Sequence, residues 1–260
     1  MLEELENKFV GKIDTIRDKI NVLHFSTGAD SVASFLKLRE NGINPILVYK
    51  YFIKDLPMVG NYIDYFEKKF DVKIYQMPST LYMEAVGSNF WGIPHKNYEE
   101  KLNKNMDLSR AFLGYTKDFI DEEIDEKLGK GRCVFHLGLR YTDGIRRYQH
   151  LMKHGVQFKN KFYPIASYKV GDIKDLLNKY DCKLPIEYDL WGISLEGPRS
   201  WNLPLIKRHC PESYRMIVER FPFAPSMMLR ENFNKLNRHF KSRVTQFKGF
   251  AMDKNLYEVW

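Results

Sequence analysis

Cysteine is scarce in this chain: three residues in 260, Cys133, Cys182 and Cys210, odd in number and far apart. No C-x-x-C pair occurs, which excludes a zinc ribbon or a dithiol redox motif and leaves free thiols of a reducing compartment. No apolar run approaches the roughly 20 residues needed to cross a bilayer. The first segment, MLEELENKFVGKIDTIRDKI, is charged and has helical periodicity. It lacks the apolar core and cleavage site of a secretory leader. The expectation is a cytoplasmic protein with no membrane partner. Also missing are G-x-x-x-x-G-K-[ST] and G-x-G-x-x-G, the two commonest phosphate-binding fingerprints.

The composition suits a folded domain with a sizeable core, at 44% hydrophobic and 15% aromatic residues. Positive charge is unevenly spread. From Arg199 onward there are 12 Lys/Arg against 5 Asp/Glu, whereas the first 198 residues hold 29 and 28. A basic region of this kind points to polyanions or to a solvated basic face. Arg199, Lys207, Arg208, Arg230, Lys235, Arg238, Lys241 and Arg243 are interleaved with Trp201, Tyr214, Phe233, Phe240 and Phe247. Base stacking beside phosphate contacts uses such a mixture, and so does an aromatic helical core.

Periodicity predicts a helix over 3–19, a strand over 20–25, a helix over 30–41 ended by Gly42, and a strand over 45–49. A helix over 58–70 and a strand over 72–75 follow. The 79–106 stretch, rich in Asn, Gly, Trp and Tyr, reads as an insertion or substrate loop. A helix over 107–128, with Asp107 as its cap, leads to a strand over 133–137. A helix to about Lys153, a strand over 159–166 and a helix over 170–180 complete the pattern. Short β-α-β connections predict an α/β fold: a doubly wound, mainly parallel sheet flanked by helices, Rossmann-like. Residues 1–198 form this domain, and residues 199–260 a basic, mostly helical extension.

Two segments carry the chemistry. The first strand runs into Ser26-Thr27-Gly28-Ala29-Asp30-Ser31 and then into a helix. A loop at the carboxyl end of such a strand lies where ligands bind, and the next helix aims its N–H groups and positive dipole end there. The same residues also serve a plain helix start, with Asp30 or Ser26 as cap. The fourth strand delivers Gly138 and Arg140, then Asp143, Gly144, Arg146 and Arg147. Guanidinium groups are permanently charged forks suited to phosphate oxygens. A surface salt-bridge cluster is the alternative. His24 and His136, within or next to strands, read as core residues.

Ser-Thr-Gly-Ala-Asp-Ser resembles the S-G-G-x-D-S loop of the PP-loop ATP pyrophosphatases. That superfamily includes the sulfate adenylyltransferase small subunit, phosphoadenylyl-sulfate (PAPS) reductases, tRNA-thiolating enzymes and GMP synthetase. Thr27 stands where the first glycine is usual. GLRYTDGIRR resembles the G-x-R-x-x-E-S-x-x-R motif of the PAPS reductase branch, through Gly138, Arg140 and Arg147. The Tyr163-Pro164-Ile165, Val-Gly-Asp-Ile and Leu184-Pro185 elements are similar to that branch's ending. The catalytic Cys-Gly-Leu-His-like segment of the reductases and the paired cysteines of a cluster are missing, so no iron–sulfur cluster is expected.

The resemblance implies ATP, or PAPS, as the nucleotide, with Mg²⁺ and an acceptor that becomes adenylylated. It implies phosphate contacts from Ser26, Thr27, Gly28, Ala29, Asp30 and Ser31, and from Gly138, Arg140, Arg146 and Arg147. Adenine is expected near Val48 and Tyr49. Asp30, Arg140 and Arg147 are the expected catalytic residues, with Asp30 also the magnesium ligand. A nucleic acid bound by the basic C-terminal region, a partner protein in sulfur transfer, and a second copy of the chain remain open as partners. So do two other functions: a PAPS reductase-like enzyme without the usual thiol, and an inactive nucleotide- or nucleic-acid-binding protein.

Overall fold

The structure is a computed structural model and describes residues 2–79, 119–195, 197–199, 201–222, 224–228, 247 and 249–252. Helix α1 (Leu2–Ile13) buries Leu5, Phe9 and Ile13, four residues apart and so on one face. Strand β1 (Ile20–His24) follows, then α2 (Ala29–Glu40), β2 (Ile46–Tyr51), α3 (Pro57–Phe70) and β3 (Ile74–Pro78). Helix α4 (Phe119–Leu128) leads to β4 (Cys133–His136). After a 3₁₀ turn over Tyr141–Asp143 come α5 (Ile145–His154), β5 (Gln157–Phe158), β6 (Lys161–Phe162) and α6 (Val170–Lys179). Short helices complete the described chain: α7 (Glu187–Leu190), α8 (Leu203–His209), α9 (Pro211–Arg220) and α10 (Ala224–Met227). Among the described residues, no helix is long and apolar enough to cross a membrane.

The strands form one sheet in the order β3-β2-β1-β4-β6-β5. β1 pairs in parallel with β2 and β4, and β4 with β6. The α/β architecture with a mostly parallel, helix-flanked sheet is therefore present. β4 is buried at all four positions, as expected of a strand covered on both faces.

The chain divides into two compact units. The first comprises residues 1–50, 63–75 and 121–185. Its core joins Leu5, Phe9 and Ile13 of α1 to Leu38 of α2, Val134 of β4 and Phe162 of β6. Phe25, Phe35 and Phe70 gather around Phe66, at ring separations of 4.6–5.3 Å. α2 buries nine of its residues, more than one face's worth. Even Lys37 is covered, with its ammonium 2.7 Å from a Glu6 oxygen and 4.1 Å from the Phe9 ring centre. The second unit comprises residues 51–62, 76–120 and 186–260. It holds Phe52 against Phe221, Trp191 against Trp201 and Tyr188 against Phe247.

The structure departs from the sequence reading in four places. The helix expected over 3–19 ends at Ile13, and a 3₁₀ turn over Asp14–Ile16 follows it. The strand expected over 159–166 is an antiparallel β5–β6 hairpin. Lys159 turns it with a φ of 54°, and Pro164 follows β6 with no N–H to extend a ladder. The strand expected over 72–75 sits at Ile74–Pro78. The helix start expected near Asp30 has no side-chain cap: Gly28 holds the cap position. The 80–118 segment, which contains most of the expected substrate loop and the Asp107 cap, lies outside the described residues.

Candidate functional site

Strand order reverses between β1 and β4. From β1 the chain steps outward to β2 and β3, while β4 continues through β6 to β5 on the other side. The crevice at the carboxyl ends of β1 and β4 is thus a topological switch point, where open α/β sheets bind ligands. Both segments singled out in the sequence leave from it. Leu23 is in register with His136, so the strands end side by side.

The first segment is fastened by its own side chains. Phe25 extends the strand by donating its N–H to Val48 at 2.9 Å. Thr27 adopts a φ of 61°, a left-handed conformation unfavourable for a β-branched residue. Its hydroxyl donates to the Ser26 carbonyl at 2.6 Å. Gly28 is extended, at φ −77° and ψ 157°. The Ser31 hydroxyl donates to the Gly28 carbonyl at 2.8 Å and accepts the Ser26 N–H at 3.2 Å. Ser31 is buried and ties the loop, whereas Ser26 is exposed beside it. The positive end of the α2 dipole opens on this loop.

The second segment closes on the first. Gly138 sits so near Asp30 that a β-carbon there would lie 2.9 Å from the Asp30 carbonyl carbon and oxygen. Two residues on, the Arg140 Nε lies 2.9 Å from Asp30 Oδ1. The other side of the Arg140 guanidinium lies 2.7 Å from Asp143 Oδ1. Asp143 Oδ2 accepts from Arg147 at 2.6 Å and from the Arg140 backbone N–H at 3.1 Å. Gly144, at φ 136°, turns the chain into α5. The result is a chain of alternating charge, Asp30–Arg140–Asp143–Arg147. Burial pushes the Asp30 carboxyl up to about 6, against the pull of Arg140.

The structure brings Ser26, Thr27, Gly28, Ala29, Asp30 and Ser31 together with Gly138 and Arg140, and links Arg147 to them through Asp143. Arg146 is exposed, one position around the helix from Arg147. Val48 and Tyr49 are buried side chains in β2. Asp143 was not anticipated as the organiser of the arginines. Its spacing, three residues after Arg140 and four before Arg147, is the local signal that reveals it.

A second charged group at the same strand ends has no local signal. His24 Nε2, at the end of β1, lies 3.0 Å from Asp121 Oδ1 in the first turn of α4. Lys50 Nζ, near the end of β2, lies 3.3 Å from the same oxygen. Burial would raise the Asp121 carboxyl, but His24 and Lys50 outweigh it and hold it below its ordinary value. Burial lowers the His24 imidazole more than Asp121 raises it. His136 is structural, as expected: it is fully buried and 2.8 Å from the Asn21 side-chain oxygen, with burial pushing it down to about 3.

No protein-family model matches the chain, and no curated protein matches it.

The site offers backbone N–H groups at a helix start, one partly exposed carboxylate and two arginines held in place. This set has the charge and donors to suit a polyphosphate. Magnesium at nucleotide sites takes one or two carboxylates and completes its shell with phosphates and water. Asp30 fits that role. Asp143 does not, because both its oxygens face arginines.

Proposed function

We propose that the chain is a PP-loop ATP pyrophosphatase that adenylylates an acceptor, within sulfur transfer or nucleic-acid modification in the cytoplasm. The observation that carries this reading is the 2.9 Å contact between Arg140 and Asp30 at the strand-order switch point. It joins two motifs 110 positions apart that the resemblance assigns to one nucleotide. In this reading residues 1–198 are the nucleotide-binding, Rossmann-like domain, and residues 199–260 a basic helical extension.

An acceptor oxygen attacks the α-phosphorus of ATP. The α–β bridging oxygen leaves with pyrophosphate, and the acceptor carries away the adenylyl group. The 27–31 amides and the Ser26 hydroxyl receive the β- and γ-phosphates. Arg140 neutralises charge on the leaving pyrophosphate, and Arg147 assists at the rim. Asp143 keeps both guanidiniums in place before the nucleotide arrives, so little reorganisation is needed during reaction. Asp30 would hold magnesium, which would supply further charge neutralisation.

A thiol-dependent PAPS reductase is disfavoured. Cys210, the one thiol after residue 198, is buried, and burial pushes it up to about 12. Such a thiol is a poor nucleophile. A binding protein without catalysis is favoured by one observation: the Arg140 guanidinium is already engaged by Asp30, Asp143 and Thr142.

The test is ATP titration by calorimetry, with release of pyrophosphate and AMP followed across candidate acceptors. Asp30→Ala and Arg140→Ala are expected to weaken binding at least tenfold and to abolish release. Unchanged binding by both variants sinks the site assignment. Tight binding without pyrophosphate from any acceptor favours the non-catalytic reading.

A further inference from the structure

From Gly144 to Gly171 the chain contains no Asp or Glu, but it carries Arg146, Arg147, Lys153, Lys159, Lys161 and Lys169. The structure makes most of this run one surface. Arg146 and Lys153 are exposed and seven residues apart on α5, which puts them on one side of the helix about 10 Å apart along its axis. Beside them runs an apolar stripe at the same spacing: Ile145, 68% exposed, and Met152, 45% exposed, with exposed Gln149 between them. The β5–β6 turn continues the surface. Phe158 packs against His154 with ring centres 4.1 Å apart, which places exposed Lys159 next to the end of α5. Arg147, the next residue after Arg146 and about 100° further around α5, belongs to the charge chain of the candidate site.

We propose that this exposed face of α5 and the β5–β6 turn binds single-stranded nucleic acid and leads it to the nucleotide site as the acceptor. The acceptor role rests on the adenylylation reading above; the binding itself does not. Charge complementarity selects the partner. Positive groups without any acidic neighbour in the sequence run match a repeating phosphate backbone, and exposed apolar side chains between them match the faces of unstacked bases. An anionic membrane is the poorer match. A helix lying in a membrane interface carries a continuous face of large apolar residues, whereas Gln149 interrupts this stripe.

The experiment is fluorescence anisotropy of the full chain with a labelled 12-nucleotide single strand, at several salt concentrations. The double variant Arg146→Glu/Lys153→Glu is expected to bind at least tenfold more weakly. The slope of log affinity against log salt should fall by about two, one for each phosphate that the variant no longer neutralises. Ile145→Ser/Met152→Ser should weaken binding severalfold with the salt slope unchanged. Asp30→Ala should leave strand binding intact, and Lys153→Glu alone, with Arg146 in place, should weaken strand binding but still bind ATP. Failure of the ATP reading and failure of this surface are therefore separate results. The proposal is overturned if the parent chain binds no oligonucleotide at 100 mM salt. Equal binding by parent and double variant also overturns it, and locates any strand binding on another surface such as the basic C-terminal region. Equally tight, equally variant-sensitive binding of phosphatidylserine vesicles or polyglutamate overturns it too.

Discussion

Gly138 and Asp30 touch backbone to backbone: a β-carbon on Gly138 would come within 2.9 Å of the Asp30 carbonyl. The neighbour is main chain, so it has no rotamer into which to retreat. Gly138→Ala must therefore push the two segments apart. We expect a loss of about 1–3 kcal/mol of stability, the usual cost of overpacking. The same shift draws Arg140 from Asp30, so, on the proposed function, affinity for ATP should fall more than stability alone accounts for. Urea unfolding and ATP titration of the variant check both; wild-type values in both would show that the segments separate freely.

Thr27 occupies a left-handed conformation that glycine adopts without penalty. Thr27→Gly removes strain of about 1–2 kcal/mol. It also gives up the hydroxyl bond to Ser26 and raises the entropy of the unfolded chain. These terms oppose each other, and the expected net change is within about 1 kcal/mol. Thr27→Val keeps the strain and loses only the bond, so it should cost about 1–2 kcal/mol. Chemical denaturation of the pair tests the argument, which fails if valine is the better tolerated.

The elements around the site were legible because each is local. β1, α2 and β4 carry unbroken apolar or helical patterns, and Gly42 ends α2 with a φ of 74°, as its position implied. Alternation of strands and helices implied the parallel, helix-flanked sheet, but the strand order that makes the switch point was visible only in the structure. The hairpin at β5–β6 was not legible, since Lys159-Asn160 lacks the glycine that usually marks a tight turn. Nor was the role of Thr27 visible: only its backbone angle shows that it performs the turn expected of a glycine. The partnership of His24, Lys50 and Asp121 spans almost 100 positions and leaves no periodic trace. Pairings of that kind emerge only when the sheet brings strand ends together.

That partnership yields a pH-dependent prediction. Asp121 is held below its ordinary value of 3.8 by His24 and Lys50. A depressed carboxylate contributes stability that is complete above its unfolded value and is lost as pH falls through its folded value. Asp121→Ala should cost about 2 kcal/mol or more at neutral pH, because Lys50 and His24 lose a shared, buried partner. It should also flatten the acid limb below about pH 4. Urea unfolding at pH 7 and pH 3 measures both. An equal loss at the two pH values would mean that packing, not charge, explains the cost.

Glu187 poses the reverse case. It is fully buried at the start of α7, and among the described residues neither carboxylate oxygen completes a hydrogen bond. Burial pushes its carboxyl up from 4.5 to about 8, more than the nearby amides of Glu187 and Leu195 hold it down. The folded chain thus prefers the protonated acid. For a carboxyl raised in the folded state, the unfolded chain gives up its proton first as pH climbs. Stability must fall between about pH 4.5 and 8, then level off once both states are ionised. Glu187→Gln keeps the shape and removes the charge. The variant should match the parent near pH 5 and exceed it by a few kcal/mol at pH 9, where the parent buries an unpaired anion. Unfolding free energies across that range decide the matter. Parallel curves for parent and variant would show that Glu187 finds a partner on ionising, and that its burial carries no penalty.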